Sequence, residues 1–351
     1  MKRLIGLCLA WSLVSSTCAV ADDGTSVVVT QADESKFPEI TVYFGLRGPQ
    51  GAAIRDAKRE AFRVVEDGKD RPIEGFDAPL TVEKRATTVV LVVDRSGSML
   101  EEGKMDGLRS AVKSFLKDLP PGSKVAVVAF GSQVVTACPL TDDLNRAIRA
   151  VDALEPFGAT RFYDAVAKAV ELLQDQPGRR VILALTDGED TASRGTDLAK
   201  AIELARRANL PIHTLGLGRD GEIDAKALRE LAESTRGRFY LAESADALRK
   251  IYEEIAERLG ASYRITYRTD RPIRDGTLRP IEIFHAESRS AGTTTVFIPG
   301  MVVPAVGWSR LFVGLIAALV VLAFLPGRFA RRTTEETTSQ KGPPVAPGRT
   351  A

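Results

Sequence analysis

The sequence predicts an α/β protein: a doubly wound, mostly parallel sheet flanked by a β-sandwich-like module and followed by one C-terminal transmembrane helix. Three observations carry this. Between about 87 and 260, nearly all-apolar runs alternate with segments whose apolar residues recur at helical spacing, the pattern of a parallel sheet covered on both faces. On either side, residues 22–86 and 261–300 hold short alternating or β-branched runs divided by Gly, Pro and Asp. Near the C-terminus, no residue between Arg310 and Arg328 is charged.

From the N-terminus, Lys2 and Arg3 precede the apolar run LIGLCLAWSLV, and Ala19-Val20-Ala21 ends it with small residues before Asp22. Residues 1–21 therefore read as a signal peptide. Its removal takes Cys8 and Cys18 and leaves Cys138, so the mature chain has no internal disulfide. TSVVVT, EITVYFGL, AFRVVEDG and LTVEK read as strands of the N-terminal β region, with a hairpin turn through Asp67-Gly68. In the middle, TTVVLVVD, KVAVVAF, RRVILALTD, PIHTLGLG and RFYLAE are strand candidates, and QVVTACPL adds an antiparallel edge strand. Six helical patterns lie among them, from MDGLRSAVKSFLKDL to SADALRKIYEEIAERL. SYRITYRT, PIEIFHA and TTTVFIP form a C-terminal β region, 261–300, expected to pack with the N-terminal one.

Residues 306–326 would span about 31 Å as a helix, the thickness of a bilayer core. Trp308 stands at one end, and Arg328, Arg331 and Arg332 follow the other. With a cleaved signal, this basic cluster puts the C-terminus in the cytoplasm and the folded part outside it, periplasmic or extracellular, anchored once in the cell (inner) membrane. The tail, 327–351, is polar and rich in Pro and Gly, the composition of a disordered segment. A net charge of +2, from 48 basic and 46 acidic residues, gives no pull towards nucleic acid.

Open α/β sheets bind ligands beyond the carboxyl ends of their strands. After the first strand come Asp94, Ser96 and Ser98; the fourth strand ends LALTDGED and delivers Asp187; between them, PFGATRFYDA puts Thr160 at or near a helix N-cap. Two carboxylates and three hydroxyls, with no His or Cys, suit a hard cation, Mg²⁺ or Mn²⁺, and disfavour Zn²⁺. Neutral serine ligands leave the ion under-neutralised, so an acidic side chain from a partner can complete it. Alone, D-x-S-x-S reads as an Asx turn or a helix cap.

In order and setting, these motifs resemble the von Willebrand factor A (vWA) domain. D-R-S-G-S-M is similar to its D-x-S-x-S, F-G-A-T to its threonine loop, and L-T-D-G-E-D to its strand-4 aspartate; Tyr163-Asp164-Ala165 is typical of bacterial members. The resemblance covers about 87–260. It implies a metal-ion-dependent adhesion site (MIDAS) of Asp94, Ser96, Ser98, Thr160 and Asp187, binding of another protein that presents an Asp or Glu, and no enzymatic role. The flanks resemble, more loosely, exported bacterial proteins carrying this domain. Three other readings stand beside it. A phosphohydrolase of the haloacid dehalogenase type needs a second Asp where Ser96 stands. Gly216-Leu217-Gly218 with Gly221 matches a dinucleotide fingerprint, but at the fifth strand, among acids. The third is a membrane-bound scaffold with no metal-dependent role. Partner identity and oligomeric state are not written in the sequence. His213 and His285 lie in strand contexts and read as packed histidines, and Cys138 as a packed thiol.

Overall fold

The computed structural model describes residues 24–300, apart from 80–85, 102 and 220, together with Leu319. The predicted signal peptide, the strand at LTVEK and the tail lie outside the described residues, as does the predicted span 306–326 but for Leu319. No helix among the described residues is long and apolar enough to cross a membrane. The chain divides into two compact units, Met1–Gly300 and Met301–Ala351.

Among its described residues, the first unit opens with six strands: β1 (Ser26–Asp33), β2 (Glu39–Arg47), β3 (Ala53–Ile54), β4 (Phe62–Glu66), β5 (Lys69–Arg71) and β6 (Ile73–Asp77). An alternating section follows: β7 (Thr88–Asp94), α1 (Lys104–Asp118), β8 (Lys124–Phe130), β9 (Val134–Thr141), α2 (Leu144–Asp152), α3 (Phe162–Leu173), β10 (Arg180–Thr186), α4 (Leu198–Arg207), β11 (Ile212–Leu217), α5 (Ala225–Ser234), β12 (Phe239–Ala242) and α6 (Ala245–Gly260). Three strands close it: β13 (Tyr263–Arg268), β14 (Leu278–His285) and β15 (Ser290–Phe297).

The alternating section makes one six-stranded sheet, ordered β12-β11-β10-β7-β8-β9. All neighbours are parallel except β8 and β9, so QVVTACPL is an antiparallel edge strand as its sequence suggested. The strands are continuous apolar runs because both faces are covered. In β7, Val89, Leu91 and Val93 pack with residues of α1, α2 and α6. Val90 and Val92 pack with residues of α3, α4 and α5 on the other face. Four of the helices start where an oxygen caps a free backbone N–H: Asp143, Asp197, Asp224 and Ser244 accept from Arg146, Lys200, Ala227 and Ala247. Each cap contributes about 1 kcal/mol.

The remaining strands form two sheets, β1-β2-β13-β6 with β3 on β2, and β15-β14-β4-β5. Apolar residues of both meet in one core containing Val42, Phe44, Val64, Tyr263, Ile283 and Val296. The β4–β5 hairpin turns through Asp67 and Gly68, both at positive φ (49° and 73°), as a two-residue turn requires. β6 was not among the strands read from sequence. Pro72 and Gly75 break its pattern, and it exists because β13 pairs with it, Ile265 opposite Phe76.

The β module and the α/β section are joined by buried polar contacts. Arg180 N–H donates to Gln31 Oε1 (2.9 Å), Gln31 Nε2 to the Gly178 carbonyl (3.1 Å) and Gly178 N–H to Asp33 Oδ2 (3.0 Å). Asn209 Nδ2 donates to Glu34 Oε2 and its Oδ1 accepts from Phe297 N–H.

Candidate functional site

The order of the six-stranded sheet reverses at β7. The chain moves from β7 outwards to β8 and β9, then returns to the other side with β10. The crevice at the carboxyl ends of β7 and β10 is thus the switch point, where ligands bind in open α/β sheets. Asp94 is the last residue of β7 and Asp187 the first after β10. Register makes them neighbours, since Val93 stands opposite Leu185.

Asp94 is fully buried. Its Oδ1 accepts the Ser96 N–H (2.7 Å), so the Asx turn is real, and its Oδ2 accepts the Thr186 hydroxyl (2.7 Å). Ser98 Oγ donates to Asp187 Oδ1 (2.7 Å). With its proton there, Ser98 accepts from Ser96 Oγ at 3.0 Å. Asp94, Ser96, Ser98 and Asp187 therefore form one chain of touching groups, and the set is oxygen only.

Thr160, buried beside α3, reaches this cluster through backbone contacts of its loop. Gly97 N–H donates to the Gly158 carbonyl (2.9 Å) and Phe157 N–H to that of Arg95 (2.6 Å). Gly158 is required: its φ is +87°, and a Cβ there would stand 2.1 Å from Ser132 Oγ. From the other side, Thr191 and Ala192 N–H both donate to the Thr160 carbonyl, and Thr160 N–H donates to Thr191 Oγ1. The N-cap position of α3 is Arg161, one residue on, and its side chain makes no capping bond. Asp164 clamps the same loop, accepting from Arg161, from Arg194 N–H (3.0 Å) and from Gly195 N–H (3.1 Å). Burial works against its charge, but those donors outweigh it and hold the carboxyl below its ordinary pKa.

Three contributors were not singled out from sequence. Thr186 ends the apolar run before Asp187 and Thr191 follows Asp190, but neither has a role until the loops meet. Lys104, the first residue of α1, puts Nζ 2.9 Å from Asp187 Oδ2 and 3.2 Å from Glu101 Oε2. Burial opposes its charge, but Asp187 and then Glu101 hold its pKa above the usual lysine value. A lysine opening a helix is too common in sequence to signal this.

Burial, only partly offset by the Ser96 and Thr186 hydrogen bonds and reinforced by the Asp187 charge, pushes Asp94 up to about 6. A carboxylate so placed favours a cation beside it. Among the described residues, no three or more His, Cys, Asp or Glu cluster as a metal site. The donor set reaches metal-binding composition only through its hydroxyls, and it fits a hard divalent cation. Asp94, Ser96, Ser98, Thr160 and Asp187 are the residues that would hold one.

A family profile described as the von Willebrand factor type A domain matches residues 88–254. The chain carries a vWA domain. Over 212 residues it is 29% identical to inter-alpha-trypsin inhibitor heavy chain H1 of Sus scrofa, covering 56% of this chain and 23% of that one. A UPF0353 protein of Nocardia farcinica is 25% identical over 218 residues, 51% of this chain and 65% of the relative. The chain thus spans about a quarter of the inhibitor heavy chains it matches and just under two thirds of the bacterial relative. Among solved structures it is similar to a von Willebrand factor type A protein from Catenulispora acidiphila, with TM-score 0.47, 16% identity, and 78% and 72% of the two chains covered. It is also similar to BatB from Bacteroides thetaiotaomicron, with TM-score 0.41, 21% identity, and 49% and 98% covered.

The other sequence motifs of the vWA domain and its flanks have structural uses. Gly216 lies in β11 where a Cβ would stand 2.2 Å from Ile223 Cδ1, so the glycine of the dinucleotide-like fingerprint admits a core side chain. Cys138 is buried with its thiol on the Pro139 carbonyl (3.4 Å). His285 packs on Phe62, with ring centroids 5.2 Å apart, and bonds Ser288 Oγ at 2.7 Å.

Proposed function

We propose that this vWA protein binds another protein through a divalent cation, Mg²⁺ or Mn²⁺, held by Asp94, Ser96, Ser98, Thr160 and Asp187. What supports this reading above all is the hydroxyl bridge at the switch point: Ser98 links Ser96 to Asp187 with oxygen donors alone. Bound there, the cation would supply an electrophilic position that a partner's Asp or Glu carboxylate can complete. Asp94 and Asp187 orient the serines and carry the charge; the Thr160 loop, held by Asp164 and Thr191, sets the far wall. The same proposal anchors the protein once in the bacterial inner membrane through residues 306–326, with the vWA domain on the periplasmic or extracellular side.

The test is affinity capture of partners by the full chain in detergent, with Mg²⁺, with chelator, and with Asp94→Ala. Mg²⁺-dependent capture that both chelator and the variant abolish is the expected outcome. Equal capture in all three conditions would instead favour a scaffold that works without metal. Phosphatase activity dependent on Asp94 would move the reading to an enzyme, against the hydroxyl that Ser96 places where an acid is needed.

A further inference from the structure

At the opposite end of the sheet, a cavity of about 390 Å³ opens between the N-terminal ends of β10–β12, the last turns of α6, and β1 and β2. Arg47, Arg55, Arg179, Arg236, Arg238 and Arg258 line it, against two carboxylates, Glu254 and Glu257. Arg180 also lines it but is paired with Asp33 at 3.5 Å. Six guanidiniums against two carboxylates leave an excess of four positive charges.

The local contacts do not absorb this excess. Arg55 pairs with Glu257 (2.6 Å) and Arg258 with Glu254. Arg179 gives an N–H to the Leu259 carbonyl near the end of α6, Arg47 one to the Gly51 carbonyl, and Arg236 its donors to Thr294 and the Thr295 carbonyl. These acceptors are neutral. Arg238 is exposed and has no ion pair among the described residues.

Other polar groups of the lining have free donors as well. The buried hydroxyl of Tyr240 and the Nε atoms of Arg47 and Arg236 have no hydrogen-bond partner among the described residues. His213 accepts the Arg238 N–H at Nδ1 (3.0 Å), so its neutral ring carries the proton on Nε2. Burial first, and then Arg179, Arg238 and Arg258, hold this histidine down to about 3. Donors withdrawn from water without acceptors are costly and rare. Guanidinium forks match the paired oxygens of phosphate and carboxylate groups. The volume is that of a small-molecule site.

We propose that this cavity is a binding site for a small, multiply charged oxyanion, bearing phosphate or several carboxylate groups, independent of the metal site at the other end of the sheet. The test uses the full chain in EDTA, which silences any metal. Inorganic pyrophosphate and citrate are titrated by calorimetry and by thermal shift, against sodium chloride of equal ionic strength. Saturable binding and a raised melting temperature are expected, weakened at least tenfold in Arg47→Gln/Arg238→Gln. Arg238→Gln alone changes an exposed side chain, so the comparison stands if the double variant misfolds; it should weaken binding severalfold. Shifts no larger than those of sodium chloride, or equal in the variants, would overturn the proposal. So would retention on phosphatidylglycerol vesicles with no response to either soluble anion, which would make the patch a lipid-headgroup contact.

Discussion

Asp94 ends a strand that is buried from Val89 onward, so its charge is unfavourable unless a cation sits beside it. Its carboxyl is raised from 3.8 to about 6. A group raised in this way stabilises the metal-free fold while protonated, and that stability is lost as pH rises through the folded value. In chelator, this group should lower the melting temperature as pH climbs from 4 to 7, and Asp94→Asn should remove that part of the slope. The same proton competes with the ion, so Mg²⁺ affinity should fall about tenfold per pH unit below the folded pKa and flatten above it, as calorimetry can read. Lys104 competes as well, since its ammonium already sits on Asp187 Oδ2. Lys104→Met should tighten Mg²⁺ binding by about fivefold, the effect of roughly 1 kcal/mol from one partly exposed pair. Unchanged or weaker binding would mean that the lysine supports the site. Asp94, Ser96, Ser98 and Asp187 were legible because each lies within a few residues of the end of an apolar run. Lys104, Thr186 and Thr191 were not, because their partners lie on other loops.

The vWA helices were readable because their apolar residues repeat on one face and Asp or Ser stands at four of their starts. β6 was not, because its pairing with β13 is non-local and its own residues favour turns. The loops of the site depend on backbone contacts that no side-chain pattern announces. Gly158 meets the 95–97 loop, and Asp164 gathers Arg161, Arg194 and Gly195. Asp164→Ala leaves those donors without their acceptor. It should lower unfolding stability by about 2 kcal/mol in urea and weaken Mg²⁺ binding along with it. Loss of stability with unchanged metal affinity would separate this clamp from the site.

Across the first compact unit, the polar seam of Gln31, Asp33, Gly178 and Arg180 couples the β module to the vWA sheet. Calorimetry should show one unfolding transition for both, and Asp33→Ala should split or broaden it, since Arg180 would then be buried without its carboxylate. The seam joins residues far apart in sequence, which is why it is not legible there, unlike the β character of the flanks and their packing together. The same juxtaposition creates the arginine-lined cavity, from residues that look ordinary one by one. The vWA fold thus presents different chemistry at its two sheet ends, oxygen acceptors at one and guanidinium donors at the other. Direct titration of Mg²⁺ into the metal-free full chain tests the proposed cation site at the acceptor end. One ion per chain should bind, with binding lost in Asp94→Ala and weakened at least tenfold in Ser98→Ala. No measurable binding, or equal binding in both variants, would contradict it.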